Sequence, residues 1–220
     1  MTIQCAAAWK DAARQAPMKN EPAVVVLAAG AGTRYQGTRH KLSEQLGGDS
    51  VLVRTLRNAI ASEMSVVLVV SEALVPEASG LVAPEDMVVV DSRVPAGWGM
   101  GDSIAAGVSM HASATGWLVL PADMPLVKPS SLRAVAQALD QQPIAFAQHR
   151  GRRGHPVGFG AELFSELVML KGDEGARRLL ARYPTAAVEL DDPGVLFDID
   201  TVDDLAVAQR RIDGSSKITL

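Results

Sequence analysis

Short apolar runs alternate with amphipathic segments along most of the chain. The apolar runs predict buried strands at 24–27, 66–70, 87–90, 117–120, 144–147, 157–159, 187–190 and 195–197. The segments between them carry apolar side chains at helical spacing, at 51–60, 103–111, 130–139, 162–170, 176–183 and 203–212. This alternation predicts an α/β fold, in which helices cover both faces of a mostly parallel sheet.

The length and composition fit one globular domain. Of the 220 residues, 48% are hydrophobic and 21% are charged, which is enough apolar material for a core. We expect a loosely held extension at 1–21, one domain at 22–214 and a tail at 215–220. The net charge of −4 argues against general nucleic-acid binding. No apolar run reaches the ~20 residues of a membrane span, and the single cysteine, Cys5, fits a cytoplasmic location.

The first predicted strand ends in small residues that suit an anion. Ala28-Ala29-Gly30-Ala31-Gly32 carries almost no side-chain bulk, so its backbone N–H groups can surround a phosphate. Arg34 and Lys41 follow and can neutralise the remaining charge. The stretch differs from an ATPase phosphate loop, because Thr38-Arg39 follows Gly37 where Lys-Ser/Thr is required. It also differs from a dinucleotide fingerprint, because Tyr35 stands at the third glycine position.

Other polar residues follow later strands of the predicted sheet. A second glycine-rich segment at 97–102 follows the strand at 87–90, Asp123 follows the strand at 117–120, and Asp198 and Asp200 follow the strand at 195–197. The carboxyl ends of parallel strands meet at one edge, where ligands bind. Carboxylates beside a phosphate loop would repel it without a divalent cation, so the pattern predicts a nucleoside triphosphate with Mg²⁺. The alternatives are a turn role for Asp123 and a helix-capping role for Asp198 or Asp200.

Six motifs in order give the chain a resemblance over about residues 22–212. They are Leu27-Ala28-Ala29-Gly30-x-Gly32-x-Arg34 with Lys41-Leu42, Gly99-Met100-Gly101-x-Ser103, Pro121-Ala122-Asp123-Met124-Pro125-Leu126, Gly151-x-x-Gly154-His155-Pro156-Val157, Gly172-Asp173-x-Gly175-Ala176-Arg177 and Asp198-Ile199-Asp200-Thr201. Together they resemble the nucleotidylyltransferases that activate molybdopterin, and most of all the molybdenum cofactor cytidylyltransferases. One departure is the segment 35–40, which replaces the shorter Met-Gly connection usual in that family.

The resemblance implies a Rossmann-like nucleotidyltransferase fold and transfer of CMP from CTP to a molybdopterin-type cofactor, with release of pyrophosphate. Ala28-Ala29 favours CTP, because related guanylyltransferases usually carry Leu-Ala-Gly-Gly at this loop. The implied catalytic residues are Arg34, Lys41 and Asp123, and the implied Mg²⁺ ligands are Asp123 with Asp200 or Asp198. The implied nucleotide-binding residues are Leu27, Ala28, Ala29, Gly30, Ala31, Gly32, Thr33, Gly99, Gly101 and Ser103.

The second half, 141–214, is expected to bind the acceptor, as residues 22–140 are expected to bind the nucleotide. Its basic β-hairpin and the segment after it provide the candidates Arg152, Arg153, His155, Asp173 and Arg177. A solvated hairpin tip is the alternative for the basic residues. Two other functions stay open: transfer to a sugar or polyol phosphate, and a non-catalytic accessory role in binding the cofactor. A transient contact with a molybdoenzyme is an expected partner interaction.

Overall fold

The computed structural model describes residues 21–30, 32, 35–37, 39–91 and 98–216. The strands are β1 (Ala23–Ala28), β2 (Gln45–Leu46), β3 (Asp49–Ser50), β4 (Ser65–Ser71), β5 (Met87–Val90), β6 (Gly116–Pro121), β7 (Ile144–His149), β8 (Arg152–Gly160) and β9 (Thr185–Glu189). Seven of them form a sheet in the order β5-β4-β1-β6-β8-β7-β9, and β2 pairs with β3. Within the seven-stranded sheet, β8 is the one strand that runs antiparallel to its neighbours, so the predicted mostly parallel sheet is confirmed.

Seven α-helices connect these strands in the described part of the chain. They are α1 (Val51–Ile60), α2 (Val75–Ala78), α3 (Met100–Met110), α4 (Pro129–Ala138), α5 (Phe164–Leu167), α6 (Arg177–Arg182) and α7 (Val202–Ser216). The predicted helix at 162–170 is shorter, because its first turn, Ala161–Leu163, is a 3-10 helix. No helix formed by the described residues is long and apolar enough to cross a membrane.

Strand β1 lies inside the sheet, between β4 and β6, and is buried on both faces. Val24 and Val26 contribute to one core, which includes apolar residues of α1, α4 and α7. Ala23 and Val25 contribute to the other core, beneath α3, α5 and α6. Full burial of each valine stabilises the fold by about 1.5–3 kcal/mol. The continuous apolar run therefore encodes a strand with a helical layer on each side.

Helix α3 approaches the centre of the sheet closely because Gly107 has no side chain. A Cβ atom at this position would lie 2.4 Å from Val25 Cγ1 and 3.0 Å from Val69 Cγ2. A close approach of this kind requires glycine. The close contact at Gly107 fixes the distance between α3 and the sheet. It thereby also fixes the position of the glycine-rich segment at the start of the helix.

The basic hairpin is formed by β7 and β8, as predicted, but its turn is shorter than the sequence suggested. Arg150 and Gly151 have φ values of 50° and 75°, which is the left-handed conformation that two-residue hairpin turns require. Arg152, Arg153 and His155 therefore belong to β8 and not to the turn. Neighbouring residues of a strand point to opposite faces, so Arg152 and Arg153 cannot serve the same surface.

The predicted strand at 195–197 is wrong. Pro193–Leu196 forms a 3-10 helix, in which Val195 N–H donates to the Asp192 carbonyl at 3.3 Å and Phe197 N–H to the Gly194 carbonyl at 3.1 Å. These local bonds use the donors that a ladder would need, and proline supplies none. The chain still returns to the carboxyl edge of the sheet, since Ile199 N–H donates to the Asp123 carbonyl at 2.9 Å.

Candidate active site

A cavity of about 350 Å³ opens at the carboxyl ends of β1 and β6. Segments that are distant in sequence line it: Leu27, Ala28, Ala29, Gly30, Gly32, Lys41, Leu42, Trp98, Gly99, Met100, Ser103, Pro121, Asp123 and Asp173. The structure thus brings most of the predicted nucleotide-binding residues to one place. Ala31, Thr33 and Arg34, which the sequence also predicted, lie outside the described residues.

Lys41 joins the two carboxylates that the sequence proposed as metal ligands. Its Nζ donates to Asp123 Oδ2 at 2.6 Å and to Asp200 Oδ1 at 3.0 Å. The side chains of Lys41, Asp123 and Asp200 are 12%, 18% and 23% exposed. Burial alone would lower the pKa of the Lys41 ammonium, but the charges of both carboxylates and the bonds to them outweigh it and raise that pKa. Lys41 is therefore a cation in this arrangement.

Helix α1 holds the turn that carries Asp123. Thr55, which is fully buried, donates from Oγ1 to the Ala122 carbonyl at 2.8 Å. Asn58 Nδ2 donates to the Pro125 carbonyl at 2.9 Å. Sequence reasoning missed both residues; the available signal was a polar residue on the otherwise apolar face of an amphipathic helix. These bonds fix the backbone on either side of Asp123 before any ligand arrives.

One oxygen of Asp123 is left for a ligand. Oδ1 is buried and has no hydrogen-bond partner among the described residues, an arrangement that costs free energy unless a ligand compensates it. Asp123 and Asp200 provide the hard oxygen atoms that Mg²⁺ or Mn²⁺ prefers. No group of three His, Cys, Asp or Glu side chains in the described part of the chain could hold a metal. The residues present therefore fit a cation that takes its other ligands from substrate phosphates and water.

The structure separates the roles of the acidic residues before α7. Thr201 and Asp204 form the cap: Asp204 N–H donates to Thr201 Oγ1 at 3.1 Å, and Thr201 N–H donates to Asp204 Oδ2 at 2.8 Å. Neither Asp198 nor Asp200 supplies this cap, so the capping alternative is wrong for both side chains. Asp200 instead contacts Lys41, whereas Asp198 is exposed.

Asp102 ties the start of α3 to the turn at 172–174. Its Oδ2 accepts hydrogen bonds from Gly99 N–H at 2.9 Å and from Gly172 N–H at 2.7 Å. The bond from Gly99 has the largest effect on the pKa of this carboxyl and lowers it. Burial opposes it, but the bond from Gly172 adds to it, and the pKa is held below its usual range. Asp102 therefore has a structural role: it joins the start of α3 to the turn at 172–174. The same contact brings Asp173 to the cavity wall.

The glycine spacing at the start of α3 serves this close packing. A Cβ at Gly99 would lie 2.3 Å from the Gly172 carbonyl carbon, and one at Gly101 would lie 2.8 Å from the Lys171 carbonyl oxygen. Gly99 also lines the cavity, but Gly101 is buried. Steric room for the 171–172 backbone explains Gly101 without contact to a nucleotide.

Trp98 lies at the cavity wall with its indole fixed by Ser103. Nε1 donates to Ser103 Oγ at 3.0 Å, and that hydroxyl donates to the Gly99 carbonyl at 3.2 Å. Ser103 is 5% exposed, whereas Trp98 keeps 38% of its surface accessible. Ser103 thus acts on the shape of the cavity through the tryptophan as well as lining it.

His40 connects the phosphate loop to the turn that carries Lys41. Its Nδ1 accepts from Leu42 N–H at 3.3 Å, and its Nε2 lies 3.3 Å from the Gly30 carbonyl. A neutral ring with the proton on Nε2 satisfies both contacts. The segment 35–40, which departs from the family pattern, therefore ends in a residue that positions Lys41 relative to Gly30.

The acceptor candidates divide between the two faces of the sheet. Arg153 pairs with Gln148, and its guanidinium lies 4.2 Å from the centre of the Phe146 ring, on the side of the core beneath α3. Arg152 pairs with His149 and lines a separate cavity of about 290 Å³ beside Phe197. Arg177 is exposed on α6.

His155 lies close enough to Asp123 and Asp198 to interact with their charges. Burial lowers the pKa of the imidazole, and the opposing effects of the two carboxylates do not offset it. His155 is therefore neutral near pH 7. It can form a hydrogen bond with an acceptor substrate there. Unlike Arg152 and Arg153, the other candidates of the basic hairpin, it offers no positive charge.

Comparison with known proteins gives consistent results. The sequence profile of the MobA-like NTP transferase domain matches residues 24–188. PucB of Bacillus subtilis, a purine catabolism protein, is 32% identical over 197 residues, which cover 84% of this chain and 95% of PucB. The crystal structure of Rv0371c from Mycobacterium tuberculosis is similar with a TM-score of 0.73 at 26% identity, covering 86% of this chain and 97% of that one.

Two further structures bear on the metal and on the fold. Rv0371c in complex with manganese is similar with a TM-score of 0.70 at 26% identity, over 86% of this chain and 98% of that one. A molybdopterin-guanine dinucleotide biosynthesis protein A from Archaeoglobus fulgidus has a TM-score of 0.65 at 19% identity, over 87% of this chain and 99% of that one. At that identity the likeness shows a common fold alone.

Proposed function

Because the chain belongs to the MobA-like NTP transferase family, we propose that it transfers CMP from CTP to the terminal phosphate of a molybdopterin-type cofactor and releases pyrophosphate. The observation that carries this proposal is the contact of Lys41 with Asp123 and Asp200 beside the cavity of Leu27–Gly30. A cation between two carboxylates at a loop of small residues suits a triphosphate and its metal ion.

The chemistry requires placement more than proton transfer. An acceptor phosphate is already anionic near neutral pH, so its oxygen can attack the α-phosphorus without a strong base. The bond from the α-phosphorus to the bridging oxygen of the β-phosphate breaks, and pyrophosphate leaves with its electron pair. Lys41 stabilises charge on the α-phosphate, and the amides near Gly30 bind the leaving phosphates with Arg34, a role predicted from the sequence.

Asp123 and Asp200 would hold a divalent cation, with Mg²⁺ as our proposal, and the unpartnered Oδ1 of Asp123 supports this assignment. When bound, that cation would supply charge neutralisation at the phosphoryl oxygens. Thr55 and Asn58 keep the Asp123 turn in place, which preserves the distance between its carboxylate and Lys41.

The acceptor is proposed to enter from the side of β8. His155, which is neutral, lies close enough to both Asp123 and Arg153 to interact with their charges, and Asp173 lines the cavity. A positive guanidinium and a neutral imidazole suit a phosphate that is attached to a planar, polar group. Arg152 was also predicted as an acceptor residue, and its position in a separate cavity gives it the weaker case. Arg177, the other predicted residue, is exposed on α6.

A panel of four nucleoside triphosphates tests the proposal. Each is incubated with Mg²⁺ and a molybdopterin-type acceptor, and pyrophosphate release is measured. We expect release with CTP and the acceptor together. Faster release with GTP would refute the assignment of Ala28-Ala29 to CTP. Release with a sugar or polyol phosphate instead would identify the other transferase function. Cofactor binding without release for any pair would identify a non-catalytic accessory protein.

A further inference from the structure

Lys41 occupies the position between Asp123 and Asp200 that a divalent cation would need. Its Nζ lies within 3.0 Å of one oxygen from each carboxylate. A metal that bridged the same two oxygen atoms would have to displace the ammonium, because both cannot occupy one space. The lysine and the metal are therefore competitors for this carboxylate pair in the absence of nucleotide.

The competition is strong because the site is partly removed from water. The Lys41 side chain is 12% exposed and that of Asp123 is 18% exposed. Charge-assisted hydrogen bonds in such surroundings are stronger than those at the surface, where solvent and salt screen them. Lys41 also neutralises one of the two negative charges, which reduces the attraction that the pair exerts on a second cation.

Nucleotide would remove this competition by giving Lys41 a different anion. The cavity that begins at Leu27–Gly30 includes Lys41 in its wall, so a phosphate bound there lies within reach of the flexible lysine side chain. Asp123 and Asp200 would then be able to hold a divalent cation, and Asp123 Oδ1, which has no hydrogen-bond partner among the described residues, supports Asp123 in that role. Substrate phosphates would supply further oxygen ligands.

We propose that Lys41 acts as a placeholder cation, which keeps bare divalent ions off Asp123 and Asp200 and admits the metal together with the triphosphate. This inference rests on the proposed function, since it takes the site to bind a nucleotide with its metal. It adds that metal binding and nucleotide binding are coupled through one side chain, which must leave the carboxylates to meet the α-phosphate.

The test is a Mn²⁺ titration in which free Mn²⁺ is measured by electron paramagnetic resonance, without acceptor and without turnover. Wild-type protein is titrated alone and with the non-cleavable α,β-methylene analogues of CTP and GTP. Lys41→Met is titrated alone, since methionine keeps the side-chain length and removes the charge. Lys128→Met is the matched control, because Lys128 is exposed and lies outside the cavity of the site. Circular dichroism confirms that each variant is folded.

We expect Lys41→Met to bind Mn²⁺ at least about tenfold more tightly than wild type, as the loss of a charge-assisted competitor predicts. An analogue should tighten Mn²⁺ binding to wild type by a similar factor, and Lys128→Met should behave as wild type. The double variant Lys41→Met/Asp123→Asn should lose the increase in Mn²⁺ affinity that Lys41→Met shows. Equal Mn²⁺ affinity of wild type and Lys41→Met would overturn the inference.

If Lys41→Met does not fold, Lys41→Gln replaces it in the same titrations. Wild type that binds Mn²⁺ as tightly alone as with either analogue has no placeholder, and the inference fails. The outcome is separate from that of the proposed function. Tighter Mn²⁺ binding by Lys41→Met, combined with no pyrophosphate release by wild type with any acceptor, would refute the transferase proposal and leave the competition at Asp123 and Asp200 intact.

Discussion

The proposed nucleotide end and the proposed acceptor end of the same sheet edge hold their charged side chains in different ways. At the carboxyl ends of β1 and β6, Lys41 and Asp123 are largely buried, pair with each other and rest on a turn held by buried hydrogen bonds from α1. At β8, Arg152 and Arg153 are exposed on a strand that starts directly after a two-residue turn. The first arrangement is organised before ligand arrives, whereas the second offers positive charge to an incoming ligand.

The difference has a functional consequence. Chemistry at the α-phosphorus tolerates little misplacement, because an error of about 1 Å can cost a hundredfold in rate. Groups that recognise an acceptor substrate need only bind it tightly enough, and their exact position matters less. Substitutions at the nucleotide end should therefore reduce kcat, and those at the acceptor end should raise the KM for the acceptor.

The largest effect is expected at Asp123. Asp123→Asn keeps the shape of the side chain but removes the charge that holds the metal and Lys41, so kcat should fall at least about a hundredfold. Pyrophosphate release measures the rate, and circular dichroism checks the fold. Asp198→Asn is the matched control, since Asp198 is exposed and Lys41 Nζ donates to Asp123 and Asp200 instead. Equal losses in the two variants would show that the geometry around Lys41 does not identify the metal ligands.

A smaller effect on rate is expected at Thr55, which contacts no ligand. Thr55→Val leaves the buried Ala122 carbonyl without its donor, at a cost of about 1–3 kcal/mol in the free energy of unfolding. Because that carbonyl precedes Asp123, we expect kcat to fall about tenfold while the KM for the nucleotide changes little. Urea unfolding and steady-state kinetics measure the two quantities. Thr55→Ser keeps the hydroxyl and should restore kcat; a rise in KM alone would point to a different role.

The acceptor end is tested by a pair of neighbouring arginines. Arg153→Gln should raise the KM for the acceptor about tenfold, the value of one charge-assisted hydrogen bond, without changing the KM for the nucleotide. Arg152→Gln removes the same charge on the opposite side of the sheet and should have a smaller effect. Steady-state kinetics with each substrate varied in turn measures both. A larger effect at Arg152 would place the acceptor in the cavity beside Phe197.

The smallest effect is expected at Asp102, which acts through packing. Because its pKa in the folded protein lies below the usual value of 3.8, the carboxylate stabilises the fold above the unfolded-state pKa. That contribution is lost as pH falls through the lower, folded-state pKa. Asp102→Asn should therefore lower Tm at pH 7, by about 2–4 °C for each kcal/mol by which it reduces the free energy of unfolding. The difference from wild type should shrink below roughly pH 4. Thermal unfolding followed by circular dichroism measures it, and a difference that is unchanged at pH 3 would contradict the role of the Asp102 charge.

Local sequence patterns predicted the elements that depend on nearby residues. Ser50 caps the helix at 51–60, where its Oγ accepts from Val53 N–H at 3.3 Å, and a serine at this place is a local signal. The run at 24–27 became the buried strand β1. The segment at 195–197 failed because Pro193 and the cap at Asp192 direct the backbone into a turn, a local signal that outweighs a short apolar pattern. The predicted site residues that face the cavity came from motifs. Thr55 and Asn58 were missed because the carbonyl groups that they contact lie 67 residues away along the chain.

By itself the sequence determined the α/β alternation and the group of residues at the carboxyl edge, because the period of apolar positions and the strand ends are local properties of the chain. Only the tertiary structure decided that Lys41 contacts Asp200 as well as Asp123, that Asp102 ties α3 to Gly172, and that Arg152 and Arg153 serve different surfaces. Each of these depends on strand register or on the approach of two distant segments. Such contacts are set by the packing of the whole core, and no local pattern records them.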